Sequence, residues 1–154
     1  MNAISAQLRE FIFEAKKNAY ASEKPGFLKM PVLESSKEIQ FTKGSFLYRD
    51  IYFGTEQFSG IEVAYDEDTP VWSMVYGGGI LSPADAKEVY AFLRRALRNV
   101  SWDFPTRGPR IFREGYFAYE NNLKGSLERF TGEENIFIDG EEVYRLNYQG
   151  GVIA

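Results

Sequence analysis

The chain has 154 residues, a formal charge of −4, 44% hydrophobic residues and 16% aromatic residues. That suits one folded domain with a sizeable core, argues against a disordered chain, and gives no support to nucleic acid as the default partner. There is no cysteine and no histidine, which removes disulfides, thiol nucleophiles, thiolate and imidazole metal ligands, and every Ser-His-Asp or Cys-His arrangement.

In chain order, apolar residues at Ile4, Leu8, Phe11, Ile12, Ala15 and Ala19 predict an amphipathic helix over residues 3–19, docked on the domain's own sheet. This segment lacks a basic start followed by an apolar core, so it does not read as a signal peptide. No stretch approaches the ~20 apolar residues that span a bilayer, and a cytoplasmic protein with no membrane partner is expected. Residues 22–37, with two prolines, a glycine and a serine pair, predict an irregular connection. Strands are predicted over 38–42, 45–53, 57–66 and 70–77, rich in aromatic and β-branched residues. A second helix over 83–98 is expected to be capped by Ser82, with Pro83 in its first turn and Asp85 completing a capping box. A loop broken by Pro105, Gly108 and Pro109 follows. Further strands are predicted over 110–113, 116–123, 126–131, 134–138 and 142–149, with Asp139-Gly140 as a hairpin turn.

The segments "FSGIEVAYDEDTPVWSMVYGGGI" (58–80) and "FTGEENIFIDGEEVYRLNYQGGV" (130–152) align without a gap at an offset of 72 residues. Upstream, 44–48 resembles 115–119 with one residue inserted between the blocks. Two copies of a three-stranded unit follow, over 44–81 and 115–154. The repeat also bears on Gly77-Gly78-Gly79, which precede a helix as a phosphate loop would. Gly150-Gly151 match them where no helix follows, and neither lysine nor P-loop spacing is present. A backbone requirement of the strand unit is the better explanation.

Strand alternation puts Trp72, Met74 and Tyr76 on one face, and Tyr144, Leu146 and Tyr148 on its counterpart. These aromatics fill a core or, on the sharper reading, line a ligand pocket between the units. Glu62 and Glu134 are repeat-related. Brought together they would do acid–base work or hold a hard cation; the favoured expectation is two surface glutamates far apart on strands. The segment "RRALRNVSWDFPTRGPRIFRE" (94–114) holds six arginines among aromatics, a place for an anionic ligand, with Arg107 and Arg110 as its candidate contacts.

The stretches "FIFEAKKNAYAS" (11–22), "YRDIYFGTEQFSGIEVAY" (48–65), "PVWSMVYGG" (70–78), "RGPRIFREGYFAYENNLKGSLERFTGEENIF" (107–137) and "VYRLNYQGG" (143–151) together resemble an uncharacterised bacterial domain-of-unknown-function family, number 5680. That family is sometimes fused behind helix-turn-helix domains. No DNA-reading module is expected ahead of the first helix, and the family has no activity or catalytic residues to carry over. The resemblance implies, by analogy alone, a stand-alone sensory or ligand-binding role.

The expectation is a single α+β domain. Two repeated antiparallel β-meanders form a curved sheet or partly closed barrel, covered by two packing helices. The function expected first is a non-catalytic module binding a small molecule or anion through Trp72, Tyr76, Tyr144, Tyr148, Arg107 and Arg110, with no cofactor, no metal and no nucleic acid partner. The alternatives are a hydrolase or lyase relying on carboxylates and tyrosines, and an interaction module that forms a homodimer.

Overall fold

The computed structural model describes residues 3–19, 32–81 and 84–153. Most of the expected connection over 22–37, together with Ser82 and Pro83, lies outside these residues.

Helix α1 (Ala6–Asn18) begins at Ser5, whose hydroxyl accepts the Leu8 N–H at 3.1 Å. Its stripe of Leu8, Phe11, Ile12 and Ala15 is buried, and so is Lys16. Helix α2 (Ala86–Arg98) starts three residues later than its sequence suggests. Asp85 is the cap itself, and its carboxylate accepts the N–H groups of Lys87 and Glu88 at 2.9 and 3.3 Å. An aspartate there satisfies two orphan amides and suits the positive end of the helix dipole.

The eight strands are β1 (Lys37–Lys43), β2 (Phe46–Gly54), β3 (Gln57–Asp66), β4 (Thr69–Ile80), β5 (Ile111–Glu114), β6 (Phe117–Ser126), β7 (Arg129–Ile138) and β8 (Glu141–Val152). They form one antiparallel sheet in the order β1-β2-β3-β4-β8-β7-β6-β5. The sheet is open, with β1 and β5 as its edges, and does not close into a barrel. The centre is the β4–β8 pair, where Tyr76 stands opposite Tyr148.

Residues expected to form two strands, 126–131 and 134–138, make the single strand β7. The turn falls earlier, at Leu127-Glu128. Gly132 and two glutamates mimic a break, but each has a reason to be in a strand. A Cβ on Gly132 would lie 2.2 Å from Cζ of Tyr148, so only glycine lets that ring lie flat on the sheet. Glu134 points inward and is fully buried.

Both helices lie on the same face. Phe11 stacks on Phe46 and Phe41 with ring centroids 5.1 and 5.8 Å apart. Phe92 stacks on Phe117 and Phe112 at 4.7 and 5.6 Å. Together with Trp72, Tyr119, Tyr144 and Ile136 these rings fill the space between helices and sheet. The opposite face carries no described helix. There, Ile51, Ile61 and Val75 are neighbours across β2, β3 and β4.

Candidate functional site

A period of two along β2 puts Tyr48, Asp50 and Tyr52 on the helix-covered face, and the same period puts Glu62 and Tyr76 there from β3 and β4. The register makes Asp50 a neighbour of Glu62. Helix α1 lowers Lys16 onto this row. Its ammonium pairs with Glu62 and lies 5.6 Å from the Trp72 ring centroid and 5.8 Å from that of Tyr48. Lys16 is 2% exposed and Glu62 fully buried. Burial pushes the Lys16 ammonium down from its ordinary value, opposed chiefly by the Glu62 charge.

The second half uses a different cation. Arg107, from the loop ahead of β5, forks onto Glu134, with Nε 3.1 Å from Oε2 and Nη2 2.5 Å from Oε1. The hydroxyls of Tyr119 and Tyr144 donate to the same carboxylate at 2.7 and 2.8 Å. Burial, then the Glu134 charge, raises both phenols well above 10, so they remain donors. Glu62 and Glu134 are thus not the surface residues expected from sequence: both are fully buried, and each is held by its own cation, the arrangement buried ions require.

Asp50 is the third buried carboxyl of the cluster. Tyr76 donates to its Oδ1 at 2.6 Å. Among the described residues its other oxygen has no hydrogen-bond partner. Burial foremost, then the neighbouring Glu62 charge, pushes Asp50 up to about 7, against the pull of Tyr76, Lys16 and Arg107. Tyr76 is itself raised well above 10 by burial and then by the Asp50 charge. Near neutral pH, Asp50 can therefore take up or release a proton, while Tyr76 can only donate a hydrogen bond.

Asp50, Tyr76 and Arg107 form the floor of a cleft of about 720 Å³ between α2 and the first half of the sheet. Tyr52, Phe58 and Tyr90 give it aromatic walls. Arg94, Arg95 and Arg98 line it from α2, and Lys37 from β1. The volume and the mix of apolar wall with a few converging polar groups are those of a small-molecule site.

Of the six residues read from sequence, Tyr76 and Arg107 line this cleft. Trp72 and Tyr144 are fully buried in the core, with Trp72 donating its indole N–H to the Leu127 carbonyl at 3.1 Å. Tyr148 is buried beside Asn121. Arg110 is exposed and lies off the cleft lining. The arginine-rich segment is divided by the fold: Arg94, Arg95, Arg98 and Arg107 reach the cleft, whereas Arg110 and Arg113 do not. Gly77–Gly79 lie inside β4, paired with β3 on one side and β8 on the other, so they frame no phosphate loop. A Cβ on Gly78 would lie 2.1 Å from the Arg145 carbonyl oxygen, and one on Gly79 2.0 Å from that of Glu56.

Asp50 and Lys16 were not singled out from sequence, though each leaves a trace. Asp50 is the charged member of the alternation Tyr48-Asp50-Tyr52, and Lys16 lies one helical turn after Ile12 on the apolar stripe. Among the described residues, no group of three carboxylates could hold a metal ion. No described helix is long and apolar enough to cross a membrane.

Comparison with known proteins gives one family. The model of a domain of unknown function, DUF5680, matches residues 50–153. No curated protein matches the chain, and no solved structure does.

Proposed function

The chain belongs to this DUF5680 family, and from that premise we propose that its cleft is a receptor site for a small molecule bearing an acidic group, which it binds without chemical change. The carrying observation is the cleft itself: aromatic walls, a floor of Asp50, Tyr76 and Arg107, and α2 arginines along one side. Arg107 is committed to Glu134, so the acidic group meets the arginines that α2 lines the cleft with, the exposed Arg94 first. A carboxylate and a tyrosine in one cleft also suit catalysis. Yet Tyr148 makes the same 2.6 Å bond to Asn121 in the other half. A hydrogen bond that recurs where no ionisable acceptor exists belongs to the framework first.

We propose further that the two halves are copies of one unit made of a helix and four strands. Irregularities recur in step: register shifts fall at Ala64/Tyr65 and at Ile136/Phe137. Left-handed backbone occurs at Glu67 (φ 53°) and at Asp139 (φ 49°). The stack of Phe11 on Phe46 is matched by that of Phe92 on Phe117.

Thermal-shift measurements with a panel of aromatic and aliphatic carboxylates, sulfonates and phosphates test the receptor reading. At least one class should stabilise the protein, and the shift should vanish in Arg94→Ala/Arg98→Ala but persist in Arg110→Ala. Equal shifts in both variants, or none in the wild type, would remove the cleft from consideration.

A second reading draws on the face that carries no described helix. Ile61 and Val75 are 38% and 43% exposed, with Phe53 beside them at 40%. The matching row of the second half is Asn122, Glu133 and Asn147. An apolar patch whose neighbouring charges, Glu38 and Arg49, already neutralise each other can meet its own copy across a twofold axis, which points to a homodimer through the first half. Sedimentation at rising concentration should show association, and Ile61→Lys should abolish it. A wild-type mass that stays monomeric at all concentrations would refute this.

A further inference from the structure

The two halves answer the same tyrosine differently. Tyr148 donates to Asn121 Oδ1 and Tyr76 to Asp50 Oδ1, both at 2.6 Å. In the second half the rest of the asparagine is used by the chain. Asn121 Nδ2 donates to the Gly108 carbonyl at 3.0 Å, and the Gly108 N–H donates to the Tyr119 hydroxyl at 3.0 Å. A backbone amide thus closes that site from within. In the first half the corresponding oxygen of Asp50 faces the cleft without a partner among the described residues.

An asparagine at position 50 would hold Tyr76 equally well, since Asn121 does this for Tyr148. What aspartate adds is charge, placed on a side chain that is 3% exposed. Its surroundings do not balance that charge. Lys16 from α1 is engaged by Glu62 from β3, and Arg107 by Glu134 from β7. Tyr76 from β4 contributes only a hydrogen bond. Arg94, Arg95 and Arg98 on α2, and Lys37 on β1, line the same cleft. Arg95 is held by Glu114 at 2.8 Å. With Asp50 ionised, the cluster holds three carboxylates against two committed cations; burial first, and then the Glu62 charge, keeps the proton on Asp50 up to about 7.

We propose that the ligand of this cleft carries a primary ammonium group that docks on Asp50, and is therefore an amino acid or a similar zwitterion with an apolar or aromatic body. The inference rests on the cleft being a binding site. The ammonium supplies the third cation and donates to the free Asp50 oxygen, the body lies against Phe58, Tyr52 and Tyr90, and the acidic end reaches the α2 arginines. Occupation requires Asp50 to be ionised, so a proton leaves the protein as the ligand enters.

Matched probes test this by calorimetry: phenylalanine against 3-phenylpropionate, tyrosine against its des-amino analogue, tryptophan against indole-3-propionate, leucine against 4-methylpentanoate. In at least one pair the amine-bearing member should bind the wild type about tenfold or more tightly. Asp50→Asn should bring the members of that pair within about twofold. As a check that needs no variant, wild-type preference for the amine should shrink by up to about tenfold per pH unit below Asp50's value, and the binding heat should depend on the buffer's ionisation enthalpy. If des-amino acids bind as well as amines, or if the preference survives in Asp50→Asn or at low pH, the ammonium inference is overturned while the anion-binding cleft stands. If no member of any pair binds, the ammonium inference fails, and the anion-binding cleft then stands or falls by the thermal-shift panel.

Discussion

Asp50 and Asn121 hold their tyrosines alike but respond differently to pH. A carboxyl whose value rises from 3.8 to about 7 on folding binds its proton more tightly in the folded state. Its contribution to stability is complete below pH 3.8 and is lost as pH rises through about 7. Urea unfolding should therefore show the wild type losing about 2–3 kcal/mol relative to Asp50→Asn between pH 5 and pH 8. Parallel curves for the two proteins would show that Asp50 is ionised throughout. At the buried fork, Arg107→Met should cost about 3–5 kcal/mol, because the buried Glu134 carboxyl would lose its only fork-shaped cation partner. Arg107→Lys should cost less, since it restores charge but not the two-pronged contact. Equal losses would place the value of Arg107 in its shape. The sequence sets Glu62 and Glu134 at matching positions of two similar segments, but it did not show that both are buried or what their partners are. Lys16 is 46 residues from Glu62, and Arg107 is 27 from Glu134. Nothing in local periodicity connects a helix lysine with a strand glutamate at such a distance.

Elements were more legible than contacts. The stripe from Leu8 to Ala15 defines α1, and alternation defines β2, β3 and β8, because burying one face imposes a period on the sequence itself. Where a tertiary neighbour overrides local preference, the reading slipped. Gly132 resembled a turn because the ring that demands it, Tyr148, lies on the next strand. Asp85 resembled the third residue of a capping box because Ser82 ahead of it fits the same pattern. The glycines closing β4 and β8 allow a direct test. A Cβ at Gly79 would lie 2.0 Å from the Glu56 carbonyl oxygen, and one at Gly151 2.2 Å from that of Glu128. Gly79→Ala and Gly151→Ala should each destabilise by about 1–3 kcal/mol or more in thermal unfolding, to similar extents. If one alanine is harmless and the other severe, the strand ends do not share a backbone requirement.

At the scale of the whole molecule, the sequence supports an α+β protein with a large antiparallel sheet and two helices. It left open whether that sheet closes, because closure depends on whether β1 and β5 meet, and edge strands carry no distinctive pattern. The cleft was legible only in fragments. Its arginines come from one segment, its aromatics from β2, β3 and α2, and its carboxyl from β2. No sequence window contains a site that the sheet order assembles.

Glu128 is a small feature with a large implication. Its carboxylate accepts the Ile4 N–H at 3.1 Å, and its carbonyl accepts the Val152 N–H at 3.1 Å. The first described residues and the last strand therefore meet at one turn, on the far side of the molecule's centre from the link at residue 81. A gene rewired to encode residues 85–153, a short flexible joint and then residues 4–81 should yield the same circular dichroism spectrum and cooperative melting as the original, because neither half needs to be made first. A permuted chain that melts gradually or stays molten would mean that the link over residues 82–84 steers assembly and does more than tether two finished parts.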